Sequence, residues 1–305
     1  MTRLYVDRVH PPMEETEIPP RYFDTGKGRT AWWRFCEEGC EDAVPVVMVH
    51  GGPGDGCDPA KGSRMALKRP IYQYDQLGCG KSDSVDLEGY GEEDFASELA
   101  GLLEHFGHER YILIGASWGA GVICAYLKRY GMSKVAALVM PSPFLSSQIW
   151  YDDQVTNMKS VSETMYLRMM DFVHGRAPES TYSEIMAEYY ARFLFTRECN
   201  KSIAQAVAAS EPNPVFKALW GPNDMVCTGS LADFDVSDIL PEITVPVLYM
   251  CGDSDEVTLP TMESYVESTP GSRLAVIPFA GHALAFEQFD LYRECIEVFL
   301  SEIGL

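Results

Sequence analysis

The chain has 305 residues, 46% of them hydrophobic and 23% charged, which is the balance of an ordinary soluble globular protein and excludes disordered and fibrous classes. Its formal net charge of −21 argues against nucleic acid or an anionic membrane surface as a partner, because both would repel the chain as a whole. No apolar run approaches the roughly 18 residues of a membrane span, and the first residues carry no apolar signal core, so the expected location is the cytoplasm. The nine cysteines, at 36, 40, 57, 79, 124, 199, 227, 251 and 295, are scattered without paired metal-ligand spacing and read as reduced thiols.

Along the chain, RYFDTGKGRTAWWRFCEEG places two β-prone runs around a Gly-rich turn, an antiparallel hairpin. VPVVMVH (44–50) is a short apolar run suited to a strand buried on both faces, and the glycine loop GGPGDG follows it. RPIYQYDQLGCG repeats that form. The helical stretch EEDFASELAGLLEHFGHE leads to the strand RYILIGA, and WGAGVICAYLKRYG then carries helical spacing up to Gly131. After the strand KVAALVM the alternation stops. Residues 143–241 read as helical and rich in Met, Tyr and Phe, with a capping box at Thr181 to Glu184 opening a helix. Alternation resumes with VPVLYMCGD, a helix around LPTMESYVES, the strand SRLAVIP and a closing helix from about Phe286 to Leu300. This order predicts an α/β fold with a mostly parallel sheet, its core in two parts, 1–142 and 242–305, and a helical insertion at 143–241.

In such a sheet ligands bind beyond the carboxyl ends of the strands, so the residues just after each strand matter most. Gly115-Ala116-Ser117-Trp118-Gly119 fits GxSxG in the strand-turn-helix context of a nucleophile elbow. A serine needs a base, and His282, after the last strand, has the required place in chain order. His105 and His108 precede the serine, His174 lies in the insertion, His10 in the amino-terminal tail and His50 in the glycine loop. For the acid that orients the imidazole, MCGDSDEV offers Asp253 and Asp255, and spacing alone favours Asp255 only slightly. The amides of Gly52, in HGGPG, and Trp118 are the expected oxyanion donors. The glycine loop matches neither nucleotide fingerprint, and the scheme needs no metal or organic cofactor. Asp75 reads as a brace for its turn, and Cys57 and Cys79 as loop thiols open to thiol reagents.

HGGPG, YDQLGCGKSD, GASWG, GPND, CGDSDEV and GHALAFE, in this order, resemble the proline iminopeptidase family of α/β-hydrolases, in particular the branch of the tricorn-interacting aminopeptidase. The resemblance runs from about residue 25 to the end and implies an α/β-hydrolase fold with a helical cap, and Ser117, Asp255 and His282 as the triad. It further implies that Asp224 and Glu256 meet the free amine of a small peptide or aminoacyl-amide substrate. The family commonly has GGSWG where this chain has GASWG, glutamate where it has Asp224, and an aromatic residue where it has Ser254. An amidase or small-ester hydrolase with the same triad, a non-catalytic ligand sensor, and an interaction module using an exposed Met- and Tyr-rich cap are the competing readings.

Overall fold

The computed structural model describes residues 18–197 and 200–305; the amino-terminal tail, with His10, and Cys199 lie outside the described residues. Eight strands form one sheet: β1 (Arg21–Asp24), β2 (Arg29–Phe35), β3 (Val46–Val49), β4 (Ile71–Tyr74), β5 (Tyr111–Gly115), β6 (Val135–Pro141), β7 (Val247–Gly252) and β8 (Arg273–Ile277). Their order across the sheet is β1-β2-β4-β3-β5-β6-β7-β8. The expected hairpin is β1–β2; β2 also runs antiparallel to β4, and every other pairing is parallel. From β3 the chain moves to β4 on one side, then crosses to β5 on the other. The carboxyl ends of β3 and β5 therefore diverge into loops at a topological switch point, with Val49 in register with Gly115.

Helices cover both faces. On one lie α2 (Glu92–Phe106) and α3 (Trp118–Tyr130); on the other lie α1 (Pro59–Met65) and the carboxyl-terminal α11 (Phe289–Glu302). α2 opens with three acidic residues in its first turn, Asp94 accepting from the Gly91 amide at 3.0 Å, and stops at Gly107 in the left-handed region. α1 escaped the sequence reading because it is only seven residues long. Asp58 caps it and Pro59 starts it, a pairing that favours a helix start.

Between β6 and β7 come α4 (Ser147–Val161), α5 (Glu163–Val173), α6 (Glu179–Phe193), α7 (Lys201–Ala208) and α8 (Pro214–Leu219). Met158, Met165, Met169, Tyr182, Met186 and Tyr189 are buried together there as a separate small core. These side chains are thus not the exposed apolar surface that an interaction module requires. α9 (Leu259–Ser268) follows β7, capped by Thr258.

Two sequence expectations need correction. No capping box opens at Thr181, because α6 starts at Glu179 after Pro178, whose φ of −72° and extended ψ already set the helix entry. The closing helix is divided into α10 (Leu284–Glu287) and α11, since Gln288 leaves helical geometry at φ −133°. The eight described cysteines are free thiols.

Candidate active site

Ser117 joins β5 to α3 with φ 51° and ψ −118°, a conformation sparsely populated by non-glycine residues and costing on the order of 1–3 kcal/mol. The flanking glycines make this turn possible. A Cβ on Gly119 would lie 2.2 Å from the Val49 carbonyl oxygen, and one on Gly115 would lie 2.6 Å from that of Gly119. Helix and strands approach more closely than any side chain allows. The Trp118 amide opens α3, where no intrahelical acceptor exists.

The HGGPG loop packs against this elbow: a Cβ on Gly51 would stand 3.3 Å from that of Ser117. Gly52 has φ +111°, which glycine supplies without cost. A hydrogen-bonded chain fixes the loop. The Trp118 indole donates to Gln76 Oε1 at 2.9 Å, and Gln76 Nε2 donates to the His50 carbonyl at 2.9 Å. The Gln76 amide also donates to His50 Nε2 at 3.0 Å, which assigns the ring proton to Nδ1, 2.9 Å from the Gly51 carbonyl. Burial lowers the pKa of His50, in keeping with a neutral ring.

His282 follows β8, and its Nδ1 lies 2.8 Å from Asp255 Oδ1. The Asp255 side chain is fully buried and that of His282 is 13% exposed. Asp255 also accepts from Ser142 Oγ at 2.6 Å, from the Gly252 amide at 2.9 Å and from the Val257 amide at 3.1 Å. Four donors thus saturate the carboxylate. Of the two acids that spacing barely separated, Asp255 meets the ring, while the exposed Asp253 accepts from the Phe279 amide at 2.9 Å. The Trp150 ring stands edge-on to the imidazole, centroids 5.3 Å apart. Burial works to lower the His282 pKa, but Asp255, and after it Glu256 with Oε2 4.0 Å from Nδ1, raise it to about 9.

Asp224 Oδ2 accepts from the hydroxyls of Tyr190 at 2.6 Å and Tyr182 at 2.8 Å, both on α6. Glu256 is buried beside the base. Burial, opposed by His282 and assisted by Asp224, pushes its carboxyl up to about 8. The side chain of Asn157, on α4, donates to the Glu256 carbonyl at 2.9 Å and so anchors this turn to the insertion.

Gly52, Ser117, Asp224, Glu256 and His282 line one cavity of about 880 Å³ between the sheet and the insertion, with Asp255 behind the imidazole. Residues from five separate segments converge there. Sequence reasoning did not single out Gln76, Ser142, Trp150, Tyr182 or Tyr190, and only Gln76, inside a glycine-rich loop, carried a local signal. Asp75 braces its turn by accepting from the Cys57 and Lys81 amides, both at 2.7 Å. Burial, then Asp75, pushes the Cys57 thiol up, and burial, then Glu98, does so for Cys79. Burial thus favours the neutral thiol over the thiolate at both positions, and the thiolate is the form that reacts. Among the described residues no group of three or more His, Cys, Asp or Glu is arranged to hold a metal ion, and no helix is long and apolar enough to cross a membrane.

Residues 44–289 match the family model for the alpha/beta hydrolase fold. The proline iminopeptidase of Heyndrickxia coagulans is 30% identical over 286 residues, 92% of this chain and 98% of that protein. The proline iminopeptidase of Saccharolobus solfataricus is 26% identical, covering 85% of each chain. Among solved structures, the proline iminopeptidase of Mycobacterium smegmatis superposes with a TM-score of 0.80 at 25% identity, over 93% of this chain and 98% of the other. VinJ, at 24% identity, has a TM-score of 0.81 over 93% of this chain and all of its own, a likeness of fold.

Proposed function

Because the chain belongs to the proline iminopeptidase family of α/β-hydrolases, we propose that it is a serine exopeptidase releasing an amino-terminal proline, or another apolar residue, from short peptides. The observation that carries this reading is the placing of two acids, Asp224 and Glu256, in the same cavity as Ser117 and the Asp255–His282 pair. A substrate ammonium drawn into this cavity needs carboxylate partners, because a charge left unpaired away from water is costly. Residues 143–241 serve as a cap, and α6 contributes the two tyrosines that hold Asp224.

Ser117 Oγ attacks the carbonyl carbon of the first residue while His282 Nε2 takes its proton. The oxyanion is received by the amides of Trp118 and Gly52. The C–N bond breaks, His282 returns the proton to the leaving amine, and water cleaves the acyl-enzyme with His282 again as base. A bound ammonium also offsets the charge of Glu256, one of the groups that raise the His282 pKa. Docking of the right substrate therefore acts to lower the His282 pKa, although Asp255 remains the main group that raises it. All of this is the chain's own chemistry, and the expected setting is the cytoplasm.

The test compares prolyl-, alanyl-, leucyl- and phenylalanyl-arylamides, each with a free and an acetylated amine, on wild type and Ser117→Ala. Turnover confined to free amines and lost in Ser117→Ala is the expected result. Equal turnover of acetylated substrates would instead mark an amidase or esterase and remove the roles given to Asp224 and Glu256. The ranking among free amines, extended to tripeptides, names the first residue and tests the narrower likeness to the tricorn-interacting branch.

A further inference from the structure

Glu287 ends the short helix α10, five residues after His282, and is buried at 4% exposure. Its side chain turns back along the chain. Oε2 accepts from the Gly281 amide, immediately before His282, at 2.8 Å, and from Thr196 Oγ1 of the cap at 3.1 Å. Oε1 accepts from the Arg197 amide at 2.9 Å and from Asn200 Nδ2 at 3.1 Å. One carboxylate thus joins the loop bearing the base to the cap segment that passes over it.

The main chain is joined at the same place. The His282 amide donates to the Phe193 carbonyl at 2.7 Å, and the Ala283 amide to that of Leu194 at 3.1 Å. A Cβ on Gly281 would lie 2.5 Å from the Phe193 oxygen, so the two segments are in direct backbone contact. Withdrawal of residues 193–197 would leave the amides of His282 and Ala283 without these acceptors. The backbone that carries His282 is thus hydrogen-bonded to the cap as well as to its own loop.

We propose that Glu287 is a positioning residue: by joining the Gly281–His282 loop to Thr196, Arg197 and Asn200 of the cap, it makes closure of the cap and placement of the catalytic base a single event. The proposal rests on the serine-hydrolase reading above. It adds that hydrolysis is confined to the closed cavity, because an enzyme with a lifted cap lacks a seated imidazole. The chemistry of the carboxylate is suited to this. Two oxygens receive four donors, and an amide at this place keeps one acceptor oxygen while its NH₂ faces two of those donors.

The experiment uses Glu287→Gln and, as a milder change on the cap side alone, Thr196→Val. Three quantities are read: kcat and KM on a free-amine prolyl arylamide, the rate of inactivation by a neutral fluorophosphonate, and thermal melting. The phosphonate reports the seating of His282 against Ser117 without any peptide, so it stays informative if the peptidase reading fails. For Glu287→Gln the expected result is a fall of about 10- to 100-fold in both kcat and inactivation rate, the scale of a small misplacement, with KM changed by less than about threefold. Thr196→Val should lower the same two rates by a smaller factor. A folded Glu287→Gln protein with a lower melting temperature but rates within about twofold of wild type would overturn the proposal, as would a Thr196→Val effect confined to KM.

Discussion

Ser142, just after β6, donates its hydroxyl to Asp255 Oδ2 at 2.6 Å, while Oδ1 of the same carboxylate faces the His282 ring. The acid of the candidate triad is thereby held from both sides, by an element 113 residues away in sequence. Hydrogen bonds to a charged group are worth about 1.5–3 kcal/mol, so Ser142→Ala should lower kcat/KM by roughly tenfold with little change in KM. Steady-state kinetics on active-site-titrated enzyme checks it. An unchanged kcat/KM would mean that the two backbone amides suffice to orient Asp255.

Glu256 stands 4.0 Å from His282 Nδ1 and is among the groups that raise its pKa. Glu256→Gln removes that negative charge, so the imidazolium is less favoured and the base becomes neutral at lower pH. The acid limb of the pH profile for inactivation by a neutral fluorophosphonate should therefore move down in pH. On free-amine arylamides the same variant should raise KM, because one of the two carboxylates facing the ammonium is gone. A limb that moves up in pH would mean that Glu256 does not act on the ring as a negative charge.

Gln76 links the Trp118 indole to the His50 carbonyl, connecting the elbow to the glycine loop. Gln76→Leu leaves a buried N–H and a carbonyl unpaired, at about 1–3 kcal/mol each. It also frees the loop carrying the Gly52 amide. A fall in kcat of about 10- to 100-fold is expected, less than or comparable to removal of one oxyanion donor. If only the melting temperature moved, the network would be structural and Gly52 would need reassignment.

Glu98, buried on α2, accepts from the Thr30 hydroxyl and from the Leu77 amide at 3.0 Å. Burial is the main cause that pushes its carboxyl up to about 7 from 4.5. The folded chain thus retains a proton that the unfolded chain has released between those values. Its contribution to stability is full below pH 4.5 and is lost as pH rises through about 7, a change of roughly 3 kcal/mol. Glu98→Gln carries no such proton. Denaturant melts at several pH values should show the variant gaining on wild type as pH rises through that window, and parallel curves would refute the assignment.

The elbow was legible because GxSxG is a local device: both glycines and the serine answer to the steric demands of a single turn, and the flanking period changes from strand to helix within a few residues. The glycine loop after β3 and the place of His282 after β8 were legible for the same reason, since strand ends reveal themselves by composition. The alternation of strands and helices implied a mostly parallel sheet, and its interruption implied the helical insertion. What spacing alone could not decide, and the resemblance only implied for the acid, was choice among near equals. Asp253 and Asp255 differ by two positions in one turn, and only the path of that turn sends one carboxylate inward to Ser142 and His282 and the other out to Phe279. Tyr182 and Tyr190 have helical spacing typical of a core, and only the docking of α6 over the sheet points their hydroxyls at Asp224. Glu287 carries no signal of its own in the sequence, and the fold buries it between the His282 loop and the helical insertion. The physical distinction is range: backbone geometry within a few residues is written in residue type, whereas the partner of a buried polar group is set by segments that meet only after the whole chain has packed.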